Sequence, residues 1–335
     1  MTITRRQILT GATALAATAA FQPAFAARKT VIKLGLDLAS DHPTTVNLNA
    51  AAAKMKDATK GEVTLQVFPS SQLGNDTHML SNLRSGAMQM MAIGDNILAT
   101  LVPSAAIDNI GFAFKSPEMA WGALDGKVGE MVRADIDKAG LHAMPRIWDE
   151  GFRQITSSTK QILTPEDLHG FKIRVPPSPI SLALFQALGA AATTINIAEL
   201  YTALQTHVVD GQENPLGNIE TQKFYQVQKY CSITNHMWVG YWLLMNGQFW
   251  SSLPDAHKKV VQDTLDAQAL EQRKANQKLD DSLEEKLKKQ GLVFAKPDTT
   301  PFQKALTQAG FYKTWKGKFG DALWAALEST TGPLA

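Results

Sequence analysis

Apolar and polar residues alternate over much of the first 100 positions, with the period of two that β-strands require. Residues 31–38 show this alternation, and residues 63–67 repeat it. The run from Met88 to Ile93 is almost wholly apolar, as in a strand covered on both faces. Helical segments at 44–59 and 76–84 separate these strands. The order strand, helix, strand, helix, strand predicts a largely parallel α/β sheet with right-handed crossovers.

A second series of strands and helices begins near Leu141. The chain of 335 residues is too long for one typical core and suits about two domains. The same patterns predict strands at 141–148, 171–175, 193–197, 208–210 and 238–245, and helices at 181–188 and 199–206. We therefore expect two α/β lobes.

One helical segment is much longer than the others. It begins at Ser252-Leu253-Pro254-Asp255 and ends at Gly291, so some 36 residues would reach about 54 Å. A helix of that length exceeds the diameter of one small lobe, and we expect it to span both lobes. The alternative is two helices with a break near Ala275.

Composition excludes several classes of function. The formal net charge of +2 gives no basic excess that would indicate nucleic-acid binding. Cys231 is the single cysteine, so the chain has no internal disulfide and no cysteine-rich metal site. The seven histidines lack metal-ligand spacing, and His236 is expected to be structural. No motif for a catalytic nucleophile or for phosphate binding occurs. We expect no metal, no cofactor and no enzymatic activity.

The first 26 residues have the pattern of an export signal. Arg5 and Arg6 precede an alanine-rich apolar run, and Ala24-Phe25-Ala26 fits the small-x-small cleavage rule. Paired arginines favour the twin-arginine route, and an ordinary secretory signal is the alternative. Cleavage near Ala26 would leave 31 basic and 31 acidic residues. We expect the mature protein in the periplasm.

Arg174 is the first candidate for ligand binding. A short helix is expected at 164–168, and the strand at 171–175 is stopped by Pro176-Pro177. Arg174 therefore lies at the carboxyl end of a strand, the end that faces the ligand crevice in open α/β sheets. A guanidinium there can hold a carboxylate through two parallel hydrogen bonds. The alternative is a surface arginine paired with a nearby acid.

Aromatic residues supply a second indication of a small-ligand cleft. Trp148 and Phe152 flank Arg153, while Trp238, Tyr241 and Trp242 lie on one predicted strand. Aromatic side chains with a few convergent polar groups are typical of small-molecule sites. Any one tryptophan is as readily a core residue. Trp148 and Trp238 are the preferred ligand contacts because each lies near an expected lobe crossing.

Five motifs in order resemble the solute-binding proteins of TRAP (tripartite ATP-independent periplasmic) transporters, over residues 32–291. They are Pro69-Ser70-Ser71-Gln72-Leu73-Gly74, Gly151-Phe152-Arg153-Gln154, Leu168-His169-Gly170-Phe171-Lys172-Ile173-Arg174-Val175-Pro176, Ala203-Leu204-Gln205-Thr206 and Asp210-Gly211-Gln212-Glu213-Asn214-Pro215.

The resemblance implies a two-lobed, periplasmic-binding-protein-like fold that closes on its ligand. We predict lobe I from residues 27–151 and 240–279, and lobe II from 152–239 and 280–335. Arg174 would grip a substrate carboxylate, Arg153 would support that grip, and Asn214 would hydrogen-bond the same ligand. The partners implied are the small and large membrane subunits of the permease. A monomer is expected.

Departures from the sialic-acid branch of the family make sialic acid a poor candidate. Pro177 stands at an asparagine position, Ile197 at a pocket phenylalanine and Gly94 at a glutamate. Asp95, one residue later, is a further candidate for contact with a ligand hydroxyl. A compact hydroxy or keto acid, with or without an apolar tail, fits best, and a small dicarboxylate or a uronate stays open. The alternative functions are an exported enzyme acting on organic acids and a sensor-associated protein that presents its ligand to a receptor.

Overall fold

Eleven β-strands form one mixed sheet in the computed structural model, which describes residues 29–334. The expected signal, residues 1–26, lies outside the described residues. The strands are β1 (Thr30–Gly35), β2 (Val63–Phe68), β3 (Met90–Gly94), β4 (Leu141–Ala143), β5 (Trp148–Ser157), β6 (Lys172–Val175), β7 (Ala191–Thr194), β8 (Gly211–Pro215), β9 (Tyr230–Ser232), β10 (Trp238–Asn246) and β11 (Val293–Ala295).

Helices cover the sheet and connect its strands. They are α1 (Pro43–Ala58), α2 (Asp76–Ser85), α3 (Asp95–Leu98), α4 (Pro117–Asp125), α5 (Lys127–Lys138), α6 (Pro179–Ala187), α7 (Ile197–Gln205), α8 (Leu216–Thr221), α9 (Gly247–Ser252), α10 (Asp255–Lys289), α11 (Thr300–Gln308), α12 (Phe311–Phe319) and α13 (Asp321–Thr331). Three short 3-10 helices occupy Pro103–Asn109, Pro165–Leu168 and Phe224–Gln226.

The sheet has two halves joined by its two longest strands. The first half contains β1 to β4, β10 and the start of β5, and the second half contains β6 to β9, β11 and the end of β5. The parallel order expected for β1 to β3 is confirmed, and β6 is also parallel to β7 and β8. β5 and β10 instead run antiparallel to their neighbours, so the complete sheet is mixed rather than largely parallel.

Strand β5 passes from one half to the other near Gly151. Its residues as far as Phe152 pair with β10, and those from Arg153 onward pair with β8. Gly151 has φ of +117°, a conformation that side chains with a Cβ rarely adopt. The pairing of β10 with β5 also shifts register between Val239 and Gly240. The backbone is therefore irregular at the point where the two halves meet.

Helix α10 is continuous over 35 residues, about 52 Å, without the break considered near Ala275. It packs against α1 from the first half and α8 from the second, and it also contacts β5. Asn276 donates hydrogen bonds to Asp149 Oδ2 at 2.7 Å and to the Glu150 carbonyl at 3.1 Å. The long helix thus spans both halves and is attached to the strand that joins them.

The carboxyl-terminal helices were not anticipated by the sequence patterns. Helix α13, which belongs to the predicted lobe II segment 280–335, packs against α4 and α5 from the predicted lobe I segment. Trp324 and Leu327 are buried on its inner face. None of the helices between residues 29 and 334 combines the length and the apolar character needed to cross a membrane.

Candidate functional site

A small cavity lies where the two halves of the sheet meet. Its volume is about 10 Å³. Its wall consists of Asp37, Gly94, Asn96, Ile97, Glu150, Arg153, Arg174, Pro176, Ile197, Asn214 and Tyr241. Loops after β1 and β3, the start of α3 and strand β10 supply one side, and β6, β8 and the start of α7 supply the other. The cavity therefore combines two guanidinium groups with two carboxyl groups.

A wider groove occurs elsewhere on the surface. Its volume is about 760 Å³, and it lies between α5 and the turn that joins α12 to α13. Its cations, Lys138 and Lys318, are exposed. Because polar groups do not converge there on an enclosed space, the smaller cavity is the better candidate for specific binding.

Arg174 lies at the carboxyl end of β6, as expected, and is 1% exposed. Its Nε donates a hydrogen bond to the Ile195 carbonyl at 2.7 Å. No carboxylate among residues 29–334 lies within ion-pair distance of its guanidinium. Burial lowers the pKa of Arg174 to about 10, so the group is still charged at neutral pH. The cavity wall thus contains a buried cation without an anionic partner among the described residues.

Arg153 is as deeply buried but is bound on several sides. Its Nε donates to Glu213 Oε2, and its Nη2 donates to Glu213 Oε1 at 3.0 Å and to the Glu213 carbonyl at 2.7 Å. Nη2 also donates to Asn214 Oδ1 at 3.0 Å, and Nη1 lies 3.4 Å from Glu150 Oε2. Arg153 is therefore a paired charge that connects β5 to β8.

Glu213 is fully buried behind Arg153. Burial alone would raise the pKa of its carboxyl, but the charge of Arg153 and the hydrogen bond with His236 hold that pKa below its ordinary value. His236 Nε2 lies 3.2 Å from Glu213 Oε2, and Nδ1 lies 2.7 Å from Thr234 Oγ1. These contacts match the structural role expected for His236.

Asn214, the residue before the last of β8, lies at the cavity wall. Its Oδ1 accepts from Arg153, and its Nδ2 donates to Gln212 Oε1. Gln212 in turn donates to Thr156 Oγ1 at 2.8 Å. The amide is therefore held in one orientation by neighbours on both sides.

Two acids complete the polar lining. Glu150 Oε1 accepts from Asn218 Nδ2 at 2.6 Å, and Asp37 Oδ1 accepts from the Tyr241 hydroxyl at 2.7 Å. Burial raises the pKa of Glu150 to about 8 and also raises the pKa of Asp37 above its ordinary value. Asp76, at the start of α2, is also buried nearby. Its pKa is raised well above the ordinary value, mainly by burial and secondly by the charge of Asp37. The cavity contains more carboxyl groups than the sequence patterns indicated.

Arg174, Arg153 and Asn214 come together at the cavity, whereas Trp148, Trp238 and Asp95 do not line it. Trp148 is fully buried in the hydrophobic cluster of α1, β1 and β10. Trp238 Nε1 donates to Asp149 Oδ1 at 2.9 Å. Asp95 accepts from the Gly240 backbone amide at 2.6 Å. These three residues support the wall from behind.

The residues missed by the sequence analysis are Asp37, Glu150, Asn96 and, as a ligand-facing group, Tyr241. Asp149 and Glu150 are adjacent, and adjacent strand residues point to opposite faces. Asp149 accordingly binds Asn276 on the helix side while Glu150 faces the cavity. That alternation, combined with the nearness of Arg153, was the available signal. Among residues 29–334, no group of three His, Cys, Asp or Glu side chains is placed to hold a metal ion.

Comparisons with known proteins agree with this geometry. Residues 34–314 match the family model described as bacterial extracellular solute-binding protein, family 7 (DctP). The chain is 37% identical over 262 residues to the C4-dicarboxylate-binding periplasmic protein DctP of Rhodobacter capsulatus, covering 75% of each chain.

Two solved structures are similar over most of their length. One is a TRAP periplasmic solute-binding protein from Polaromonas sp. JS666 bound to D-erythronate, with 29% identity and a TM-score of 0.86; the match covers 91% of this chain and 100% of that one. The other, from Sulfurospirillum deleyianum, has bound succinate, 29% identity and a TM-score of 0.85; the match covers 90% of this chain and 99% of that one.

Proposed function

Because the chain belongs to family 7 of the bacterial extracellular solute-binding proteins, we propose that it captures a small organic acid for a TRAP transporter. Members of this family are periplasmic binding proteins of transport systems and not enzymes. Residues 1–26 would direct export, with cleavage near Ala26, and the mature protein would act as a monomer in the periplasm.

One observation carries this proposal: Arg174 is a buried guanidinium that lines the small cavity without a carboxylate within ion-pair distance among the described residues. A buried charge is costly unless it is paired and hydrogen-bonded. A ligand carboxylate supplies both the opposite charge and acceptors for the terminal nitrogens. The site is therefore arranged to be completed by an anion.

Arg153 and Asn214 would orient the same ligand from the neighbouring strands. Arg153 is already neutralised by Glu213, so its contribution to affinity would be smaller than that of Arg174. Asn214, held by Arg153 and Gln212, would present a prepared amide to the ligand. A prepared site loses less conformational entropy on binding, which favours affinity.

Closure of the two lobes would couple binding to delivery. The predicted lobes, residues 27–151 with 240–279 and residues 152–239 with 280–335, contribute opposite walls of the cavity. A ligand that touches both walls favours the closed form, because only that form makes all the contacts. The closed, loaded protein would then dock on the small and large membrane subunits of the permease.

Substitution of Arg174 tests the proposal. After a thermal-shift screen of small carboxylic acids identifies a ligand, calorimetry would compare the wild type with Arg174→Ala. Loss of one partner of a buried charge pair costs about 2–5 kcal/mol, so affinity should fall roughly thirty-fold to a few thousand-fold. Arg174→Lys should also bind poorly, since an ammonium cannot present a planar pair of donors.

Lys172→Ala is the matched control, since Lys172 is an exposed cation on the same strand. Its affinity should equal that of the wild type. Unchanged affinity in Arg174→Ala would disprove the proposed role of Arg174.

A further inference from the structure

The cavity wall contains two cations, and only one of them is free to take a ligand anion. Arg153 is bound through Nε and Nη2 to Glu213, whereas Arg174 has no carboxylate within ion-pair distance among residues 29–334. No lysine or histidine belongs to the described lining. One carboxylate on the ligand would therefore find a partner, and a second one would not.

The remaining polar groups of the wall are mostly hydrogen-bond acceptors. Glu150 and Asp37 face the same enclosed space as Arg174, and both are buried, at 4% exposed each. Asn218 binds one oxygen of Glu150, and Tyr241 binds one oxygen of Asp37. The second oxygen of Asp37 has no side-chain partner among the described residues. Asp76, buried behind the wall, adds to the acidic character.

We propose that Glu150 and Asp37 select monocarboxylates whose other carbons bear hydrogen-bond donors, and that they reject dicarboxylates. The proposal rests on the proposed function, because it takes the Arg174–carboxylate contact as given. Donor groups on the ligand, hydroxyl above all, would pair with the acidic side chains. A second carboxylate would instead be buried without a cation, because Arg153 is already bound to Glu213 and no other cation lines the described wall.

This selectivity differs from what two of the similar proteins bind. The Rhodobacter capsulatus relative is a C4-dicarboxylate-binding protein, and the Sulfurospirillum deleyianum structure contains succinate. The Polaromonas protein holds D-erythronate, which has four carbons, one carboxylate and three hydroxyl groups. Relatives at comparable identity thus divide between dicarboxylates and hydroxy monocarboxylates. The lining of this cavity favours the hydroxy monocarboxylates.

Matched acids test the proposal by calorimetry on the full mature chain. At four carbons the set is D-erythronate, meso-tartrate, butyrate and 4-aminobutyrate, and at six carbons it is galactonate, galactarate and hexanoate. Within each set, meso-tartrate or galactarate replaces only the terminal CH2OH by a carboxylate. The hydroxy monoacid should bind at least about tenfold more tightly than its diacid and than its unsubstituted acid. 4-Aminobutyrate shows whether an ammonium donor can replace hydroxyl.

Glu150→Gln replaces the carboxyl by an amide, which keeps an oxygen that can accept from Asn218 and adds a donor for a second carboxylate. In this variant the preference for the monoacid over its diacid should shrink about tenfold or more. Asp37→Asn is the second variant and should shrink the same ratio while keeping an acceptor for Tyr241. Circular dichroism would establish that both variants fold.

Two different failures can be distinguished. This inference would be overturned if the wild type bound the diacid, or the unsubstituted acid, as tightly as the hydroxy monoacid. The Arg174–carboxylate contact would still stand in that case. A ratio unaltered in both variants would have the same consequence. Binding that is independent of Arg174, or a preference for erythritol over erythronate, would overturn the proposed function itself.

Discussion

Arg153 and Arg174 lie on one cavity wall, yet their surroundings differ in kind. Both are almost completely buried, at 2% and 1% exposed. Arg153 meets Glu213, Glu150 and Asn214, whereas Arg174 meets a single backbone carbonyl through its Nε. The protein satisfies one guanidinium internally and leaves the other to be satisfied from outside. Burial alone therefore does not identify a ligand-binding arginine. The set of hydrogen-bond and ion-pair partners around its guanidinium does.

The same difference predicts opposite effects on stability. Removing one member of a buried ion pair is costly, because its partner is left buried without an opposite charge. A buried charge that has no partner contributes little to the stability of the fold, because the cost of removing it from water is not offset. The following experiments use that contrast, from the largest expected effect to the smallest.

Replacing each arginine by methionine should separate their roles. Arg153→Met should lower the free energy of unfolding by about 3–5 kcal/mol, because the buried Glu213 would lose its arginine and keep only the contact with His236. Arg174→Met should keep the free energy of unfolding within about 1 kcal/mol of wild type, or raise it, because it removes a buried charge whose acidic neighbours act only from beyond ion-pair distance. Urea denaturation without ligand measures both.

A double substitution checks the explanation for Arg153. The double variant Arg153→Met, Glu213→Gln should lose about 0.5–3 kcal/mol less unfolding free energy than the sum of the two single losses. The reason is that it leaves no buried carboxylate without its arginine. Strict additivity would show that the two side chains are not coupled, and the contrast between the two arginines would lose its basis.

The raised pKa of Glu150 should make the free energy of unfolding depend on pH. Burial raises its pKa from the ordinary 4.5 to about 8, so the folded protein keeps a proton that the unfolded chain releases. Stability contributed by this group is intact below pH 4.5 and falls as pH rises towards 8. Between pH 5 and 8.5 the wild type should lose on the order of 2–4 kcal/mol more than Glu150→Gln.

Urea denaturation at both pH values, in buffers free of carboxylic acids, measures this loss. Glu285→Gln is the control, since it makes the same chemical change on a side chain that is 70% exposed. A pH dependence of Glu150→Gln equal to that of the wild type would contradict the assignment.

Gly151 separates Glu150 from Arg153 and sets the geometry between the two halves. An alanine Cβ there would lie at ordinary contact distance, 3.5 Å from Asp280 Oδ2, so its cost is backbone strain at φ of +117°. Gly151→Ala should lower the free energy of unfolding by about 1–3 kcal/mol. Ligand affinity should fall as well, because the halves could no longer meet in the same geometry.

Gly122→Ala is the matched control. Gly122 lies inside helix α4 with nothing within 4 Å of the added carbon, so alanine should be neutral or slightly stabilising. A neutral Gly151→Ala would show that the crossing does not depend on glycine.

The sequence was informative wherever local chemistry decides structure. The stop at Pro176-Pro177 placed Arg174 at a strand end, and the structure has it there, one residue before the last residue of β6. The period of two found β1, β2 and β10 to within a few residues. Helix α7 begins at Ile197, which the pattern had assigned to the preceding strand, because short apolar runs do not distinguish a strand end from a helix start.

Partners distant in sequence were beyond such reasoning. Trp148 and Trp238 were expected at the cavity because each lies near an expected lobe crossing, but their faces were decided by packing and by Asp149. Glu150 directly follows Asp149, and strand alternation places only one of these two acids towards the cavity. Residues that are 60 or more positions apart, such as Arg153 and Glu213, meet only because β5 and β8 pair.

By itself, the sequence determined many of the strands and helices, the α/β class, the long helix and the family, because periodicity, turn residues and ordered motifs are local properties. The tertiary structure decided which arginine is free. That outcome depends on strand pairing, which places Glu213 against Arg153 and leaves Arg174 without a carboxylate within ion-pair distance among the described residues. Charge pairing in a buried site is a property of three-dimensional distance, and distance along the chain does not specify it.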